Sequence, residues 1–157
     1  MPPIFVDAAP TAHHTFIIST YRPHSHATSI TAPGWIYSQQ DAELYAVFHA
    51  IRQASLRHMS YLCIMTDNFS VFHTITSCRV SCTASSRARI LRQILRTCLA
   101  SGIRLQTVRI PSQLNPADAF SRPSRIDTRP SLATHPFFLI THTSYAYTGA
   151  TPALWYR

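Results

Sequence analysis

The chain has 157 residues, 46% of them hydrophobic, which is enough for one domain with a real core and too apolar for a disordered chain. Its formal net charge is +8 and all 14 basic residues are arginine, a composition that points to a polyanionic partner. The apolar run near the end, Phe137-Phe138-Leu139-Ile140, is far too short to span a bilayer, and the N-terminus carries no secretory pattern, so an intracellular chain without a membrane segment is expected.

The elements follow in chain order. Ile4-Phe5-Val6 is a short β-type run that ends at Asp7 and is stopped by Pro10. Residues 14–21 and 25–32 are two further β-prone runs, spaced as hairpin partners of the first, and Pro33-Gly34 marks a break. Ser38 suits a helix N-cap, with Asp41 three residues on. Leu44, Val47, Phe48, Ile51 and Ala54 then recur at helical spacing, with Glu43 in the first turn. Residues 61–66 read as a buried strand ending immediately before Asp67, and 68–75 as a short helix.

Residues 84–101 predict a longer helix. Ile90, Leu91, Ile94, Leu95, Cys98 and Leu99 line one face, Arg89, Arg92 and Arg96 form a basic stripe on another, and Gly102 stops it. Residues 103–110 alternate as a strand that Pro111 ends. Asn115 as a cap and Pro116 in a first turn predict a last short helix that opens at Asp118. From Thr128 onward Pro, Ser, Thr and aromatic residues mix without period, so residues 1–127 read as the domain and 128–157 as a partly ordered tail. The order is that of an α/β chain whose sheet mixes an antiparallel hairpin with parallel strands.

Four of only six acids fall at element ends: Asp7, Glu43, Asp67 and Asp118. Sites in α/β sheets collect at the carboxyl ends of strands and the adjacent helix starts. A cluster of carboxylates repels itself unless a hard cation such as Mg²⁺ compensates it, and two such ions roughly 4 Å apart support phosphodiester cleavage. Arginines to hold a phosphate backbone and carboxylates to hold metal are the parts of a nuclease. Each acid also has a plainer reading. Asp7 and Asp67 cap strand-end turns, Glu43 complements a helix N-terminus, and Asp118 pairs with Arg122 at helical spacing. Asp41 and Asp127 are left as capping and surface charge. Cys63, Cys78, Cys82 and Cys98 are scattered as reduced thiols, and Cys78 and Cys82 with His73 lack the second well-spaced pair of a zinc site.

The stretches "FVDAAPT" (5–11), "DAELYAVFHAI" (41–51), "TDNFSV" (66–71) and "VRIPSQLNPADAFSR" (108–122) resemble, in the same order, the ribonuclease H domain of reverse-transcribing viral polymerases, the hepadnavirus-like ones most closely. The resemblance covers roughly residues 4–125, and "NPAD..SR" is its most specific piece. It implies a ribonuclease H-like fold with a mixed five-stranded sheet: antiparallel strands 1–3, parallel strands 1, 4 and 5, and flanking helices. It implies Asp7, Glu43, Asp67 and Asp118 as catalytic ligands of two Mg²⁺ ions, with Mn²⁺ as a substitute. The substrate would be the RNA strand of an RNA–DNA hybrid and the partner a polymerase domain of the same polyprotein, in host cytoplasm or viral capsid. Unlike many relatives, residues 103–117 contain no His.

For the substrate face, Asn68 either hydrogen-bonds a backbone or 2′ hydroxyl or caps a helix. Arg89, Arg92 and Arg96 either follow hybrid phosphates or form an ordinary solvated face, and Arg122 is a further candidate for nucleic acid. The competing reading is a catalytically inactive, Arg-rich nucleic-acid-binding module for RNA packaging or hybrid positioning. A pure binding module gains nothing from a negative cluster facing phosphates. An integrase-like nuclease fits less well, because such sites usually place their Glu late in the chain.

Overall fold

Hydrophobic and β-branched residues in the first third of the chain build a three-stranded antiparallel meander. β1 (Ile4–Pro10) pairs with β2 (Phe16–Tyr21) from Phe5 opposite Tyr21 to Pro10 opposite Phe16. β2 in turn pairs with β3 (Thr28–Thr31). The computed structural model describes residues 2–25 and 27–122, so Asp127 and the expected tail lie outside the described residues.

The other side of β1 is parallel. β4 (Tyr61–Thr66) meets it at Ile4 opposite Ile64 and Phe5 opposite Met65, and β5 (Arg104–Arg109) runs beside β4 along its whole length. The sheet order is β3-β2-β1-β4-β5. This is the mixed five-stranded sheet expected from the sequence. Parallel neighbours need crossovers, which helices supply: α1 (Gln39–Leu56) before β4, and α2 (Phe69–Ser77) with α3 (Ser86–Ser101) before β5. A 3-10 turn (Ser112–Leu114) and α4 (Asp118–Ser121) follow β5.

α1 starts where its cap requires. The Ser38 side chain accepts from the Asp41 N–H, an arrangement that typically stabilises a helix by about 1 kcal/mol. The helix lies between the sheet and α3, and Leu44, Val47 and Ile51 pack with Val6, Ile64 and Ile94 in the main core. The opposite face of the sheet carries a smaller cluster of Phe5, Met65, Val108, Ile110, Leu114 and Ala117. α1 and α3 run parallel: Arg87 reaches Asp41 at their N-terminal ends, and Ser55 and Ser101 share a hydrogen bond of 2.5 Å at the other. α3 is capped by Ser85, and it ends at Gly102, whose left-handed φ of +64° lets its N–H return to the last turn.

Three local expectations are corrected. Asp7 does not end the first strand but sits in its middle, because the ladder to β2 carries β1 on through Ala8, Ala9 and Pro10. Glu43 lies in the second turn of α1, since Ser38 is the cap and only Asp41 falls in the first. Ala117, not Asn115, holds the cap position of α4; the Asn115 Oδ1 accepts the Ala117 N–H just outside the helix.

Candidate metal centre

The pairing register explains how distant acids meet. β1 and β4 are last paired at Phe5 and Met65, and two residues further along each strand stand Asp7 and Asp67. Beyond Phe5, β1 continues with a neighbour only on its β2 side. The chain leaves β1 toward β2 on one side, while β4 and β5 fill the other. This is a topological switch point, where α/β sheets place their sites. α1 brings Glu43 from the main-core face of the sheet, and α4 brings Asp118 from the other.

Asp7, Glu43 and Asp67 offer carboxylate oxygens that all lie within 4.8 Å of one another. No other group of three His, Cys, Asp or Glu among the described residues converges in this way, so Cys78, Cys82 and His73 form no such set. Asp7 is 4% exposed, while Glu43 and Asp118 are each 6% exposed. Such burial of charge is unfavourable unless something compensates it.

The pKa shifts record the strain. Burial, then the Asp67 and Asp118 charges, push Asp7 up to about 7 against the pull of the Ser121 hydroxyl. Burial and then Asp7 hold Glu43 well above the usual range, opposed by Gln39 and the Ala8 backbone. Burial also raises Asp67, against hydrogen bonds from Ser112 and Asn115. Glu43 Oε2 is buried with no hydrogen-bond partner. An orphaned carboxylate oxygen beside two further carboxylates is the donor set a hard divalent cation satisfies.

Four polar residues hold this geometry, of which only Asn115 was expected to act, as a helix cap. Gln39 Nε2 donates to Glu43 Oε1 at 2.9 Å and to the Ala8 carbonyl at 2.5 Å, tying α1 to β1. Asn115 Nδ2 donates to the Val6 carbonyl at 2.9 Å, and the Ser19 hydroxyl donates to the Ala117 carbonyl at 2.7 Å. Ser121 Oγ donates to Asp7 Oδ2. In the sequence Gln39 stands one helical turn before Glu43 on the same face, and Asn115 and Ser121 belong to the "NPAD..SR" stretch, whereas Ser19 carried no signal.

No protein-family profile and no curated protein matches the sequence. Among solved structures, the chain is similar to the crystal structure of RNase H1 from the halophilic archaeon Halobacterium salinarum NRC-1. The TM-score is 0.66, and the match covers 78% of this chain and 96% of that one. The fold is ribonuclease H-like. At 13% identity the likeness is one of backbone rather than of sequence.

On this ribonuclease H-like frame the remaining candidates separate. Asp118 pairs with Arg122 at 3.5 Å, as helical spacing predicts, and its charge reaches both Asp7 and Asp67. Asn68 caps α2, accepting the Val71 N–H at 3.0 Å. Arg89, Arg92 and Arg96 are exposed along α3 and form no salt bridge to the acids. Arg89 instead covers the Trp35 ring at 4.0 Å, and Arg92 donates to the Thr83 carbonyl. Arg87 of α3 joins Asp41 of α1 and Ser70 of α2. No helix among the described residues is long and apolar enough to cross a membrane.

Proposed function

We propose that the chain is a metal-dependent endonuclease that hydrolyses the RNA strand of RNA–DNA hybrids, acting as the ribonuclease H domain of a hepadnavirus-like, reverse-transcribing polymerase. The observation that carries this reading is the convergence of Asp7, Glu43 and Asp67 within 4.8 Å at the switch point of the sheet. The ribonuclease H-like fold supports it, as do the four motif stretches that carry the viral resemblance.

Asp7, Glu43, Asp67 and Asp118 would hold Mg²⁺, or Mn²⁺ in its place, as two ions. When bound, the cation supplies a Lewis acid for a phosphoryl oxygen and lowers the pKa of water. Gln39 and Ser121 act on the carboxylates themselves, donating to Glu43 and Asp7 and so restraining both side chains beside Asp67. Asn68 keeps its amide N–H groups for a substrate backbone or 2′ hydroxyl, while its oxygen caps α2. Arg89, Arg92, Arg96 and Arg122 offer exposed guanidinium groups to phosphates, in keeping with recognition of a hybrid by shape and backbone. The partner would be the polymerase domain, in the host cytoplasm or the viral capsid.

The test is cleavage of a labelled RNA–DNA hybrid by the purified chain with Mg²⁺ or Mn²⁺, beside Asp67→Asn and an RNA–RNA duplex. The expected result is metal-dependent cutting of the hybrid's RNA strand, lost in Asp67→Asn and absent on the duplex. Tight, salt-sensitive binding without cutting, by the chain alone and with its polymerase domain supplied, sinks the enzyme reading in favour of the binding module.

A further inference from the structure

One exposed cluster beside the carboxylates is not used by the chemistry above. Phe69, the first residue of α2, is 59% exposed. The helix does not need it for packing, since Val71 and Ile75 supply the buried side. Its backbone is nonetheless held firmly: the Asn68 N–H donates to Thr66 Oγ1 at 3.1 Å, and the Asn68 side chain caps the first turn. The Arg109 guanidinium carbon lies 5.2 Å from the Phe69 ring centroid. His73, one helical turn on, lies nearly parallel to the ring, with centroids 6.1 Å apart and planes at 18°.

The position is as telling as the contacts. Arg109 is the last residue of β5 and pairs in register with Thr66, next to Asp67. The cluster therefore stands at the carboxyl ends of two parallel strands, on the rim of the acidic centre. Arg109 is exposed and forms no salt bridge among the described residues, although an acidic cluster lies close by. An oriented aromatic ring with an unneutralised guanidinium against it has the two groups that single-stranded nucleic acid requires: a surface for a base and a charge for its phosphate.

We propose that Phe69, supported by Arg109 and His73, is a stacking platform for an unpaired base, with Arg109 meeting the adjacent phosphate. The bases of a duplex are stacked on one another, so the ring serves a base that has left the stack. This deepens the nuclease reading and rests on its nucleic-acid substrate. The preferred ligand becomes a hybrid with a single-stranded extension passing over Phe69, rather than a blunt hybrid.

The experiment measures binding of the full chain in EDTA, without cleavage, to a blunt hybrid and to the same hybrid carrying a single-stranded RNA or DNA extension. The extension contains a fluorescent purine analogue whose emission falls on stacking. Wild type and Phe69→Trp are expected to quench the analogue and to bind the extended hybrid more tightly than the blunt one. Phe69→Ala, shown folded by circular dichroism, loses the quench and binds the extended hybrid about 5- to 100-fold more weakly, in line with the usual strength of base–aromatic stacking. Arg109→Ala lowers the salt sensitivity of the same binding. Unchanged quench and affinity in Phe69→Ala overturn the proposal, as does an equal loss on blunt and extended hybrids. Because the readout needs no metal and no cutting, it stands or falls separately from the cleavage test that decides the nuclease reading.

Discussion

Asp7→Asn isolates the electrostatic strain of the acidic centre, because it removes one charge while keeping the side chain's shape and its capacity to accept from Ser121. Burial foremost, then the Asp67 and Asp118 charges, raises Asp7 from an ordinary 3.8 to about 7. With the native pKa above the unfolded one, the native state binds more protons between those values. The stability contributed by this group is therefore complete below the unfolded pKa and is lost as pH rises through about 7. The gap corresponds to about 4 kcal/mol at full ionisation. Asn mimics the protonated acid, so the variant's gain over wild type should grow from under about 1 kcal/mol at pH 4 to about 4 kcal/mol at pH 8 in the absence of divalent metal. Urea unfolding followed by far-UV circular dichroism in EDTA, at both pH values, measures this directly. A variant no more stable than wild type at pH 8, or equally stabilised at both pH values, refutes the account of Asp7 as a buried, uncompensated carboxylate.

Three further outcomes are expected. Mg²⁺ or Mn²⁺ should raise the melting temperature of the wild-type chain more at pH 8 than at pH 5, because protons and cation compete for the same raised carboxylates; equal shifts in thermal scans at both pH values contradict this. Ser121→Ala removes the hydrogen bond that pulls the Asp7 pKa down, so the Asp7 carboxyl should titrate at higher pH in an NMR titration, with a loss of about 1 kcal/mol in stability. Gly102→Ala should lower stability by about 1 kcal/mol, since φ is +64° there, while Gly34→Ala should change it by less than about 0.5 kcal/mol. Chemical denaturation of the pair separates backbone strain from steric effects, as neither position has an atom within 4 Å of an added Cβ.

The acids were legible because they are scarce, and their spacing against the breaks at Pro33-Gly34, Gly102 and Pro111 located the elements that carry them. What the sequence could not show is where each strand stops pairing and with which neighbour. Ala8, Ala9 and Pro10 have little strand character of their own; β2 supplies the ladder that extends β1 past Asp7. That extension matters to the site. β4 has already left β1 at Phe5, so Asp7 stands on a strand with one side unpaired by sheet, opposite Asp67 at the end of its own. The partners of the residues that hold the geometry were illegible for the same reason. Asn115 and Ser121 stand in the motif stretch, yet Asn115 reaches Val6 across 109 positions and Ser121 reaches Asp7 across 114, which nothing local could show.

The arginine stripe shows the converse limit. Helical periodicity correctly placed Arg89, Arg92 and Arg96 on an exposed face of α3, yet periodicity carries no information about what that face meets. Arg89 lies over Trp35 while staying exposed, and the arginine that links α3 to the N-terminal end of α1 is Arg87, outside the stripe. Arg109 stood alone in the sequence at the end of a strand, and only tertiary structure puts it over Phe69 at the rim of the carboxylates. Periodicity thus placed the exposed stripe and the Arg122–Asp118 pair, whereas the contacts of Arg87 and Arg109 are set by helix docking and strand register.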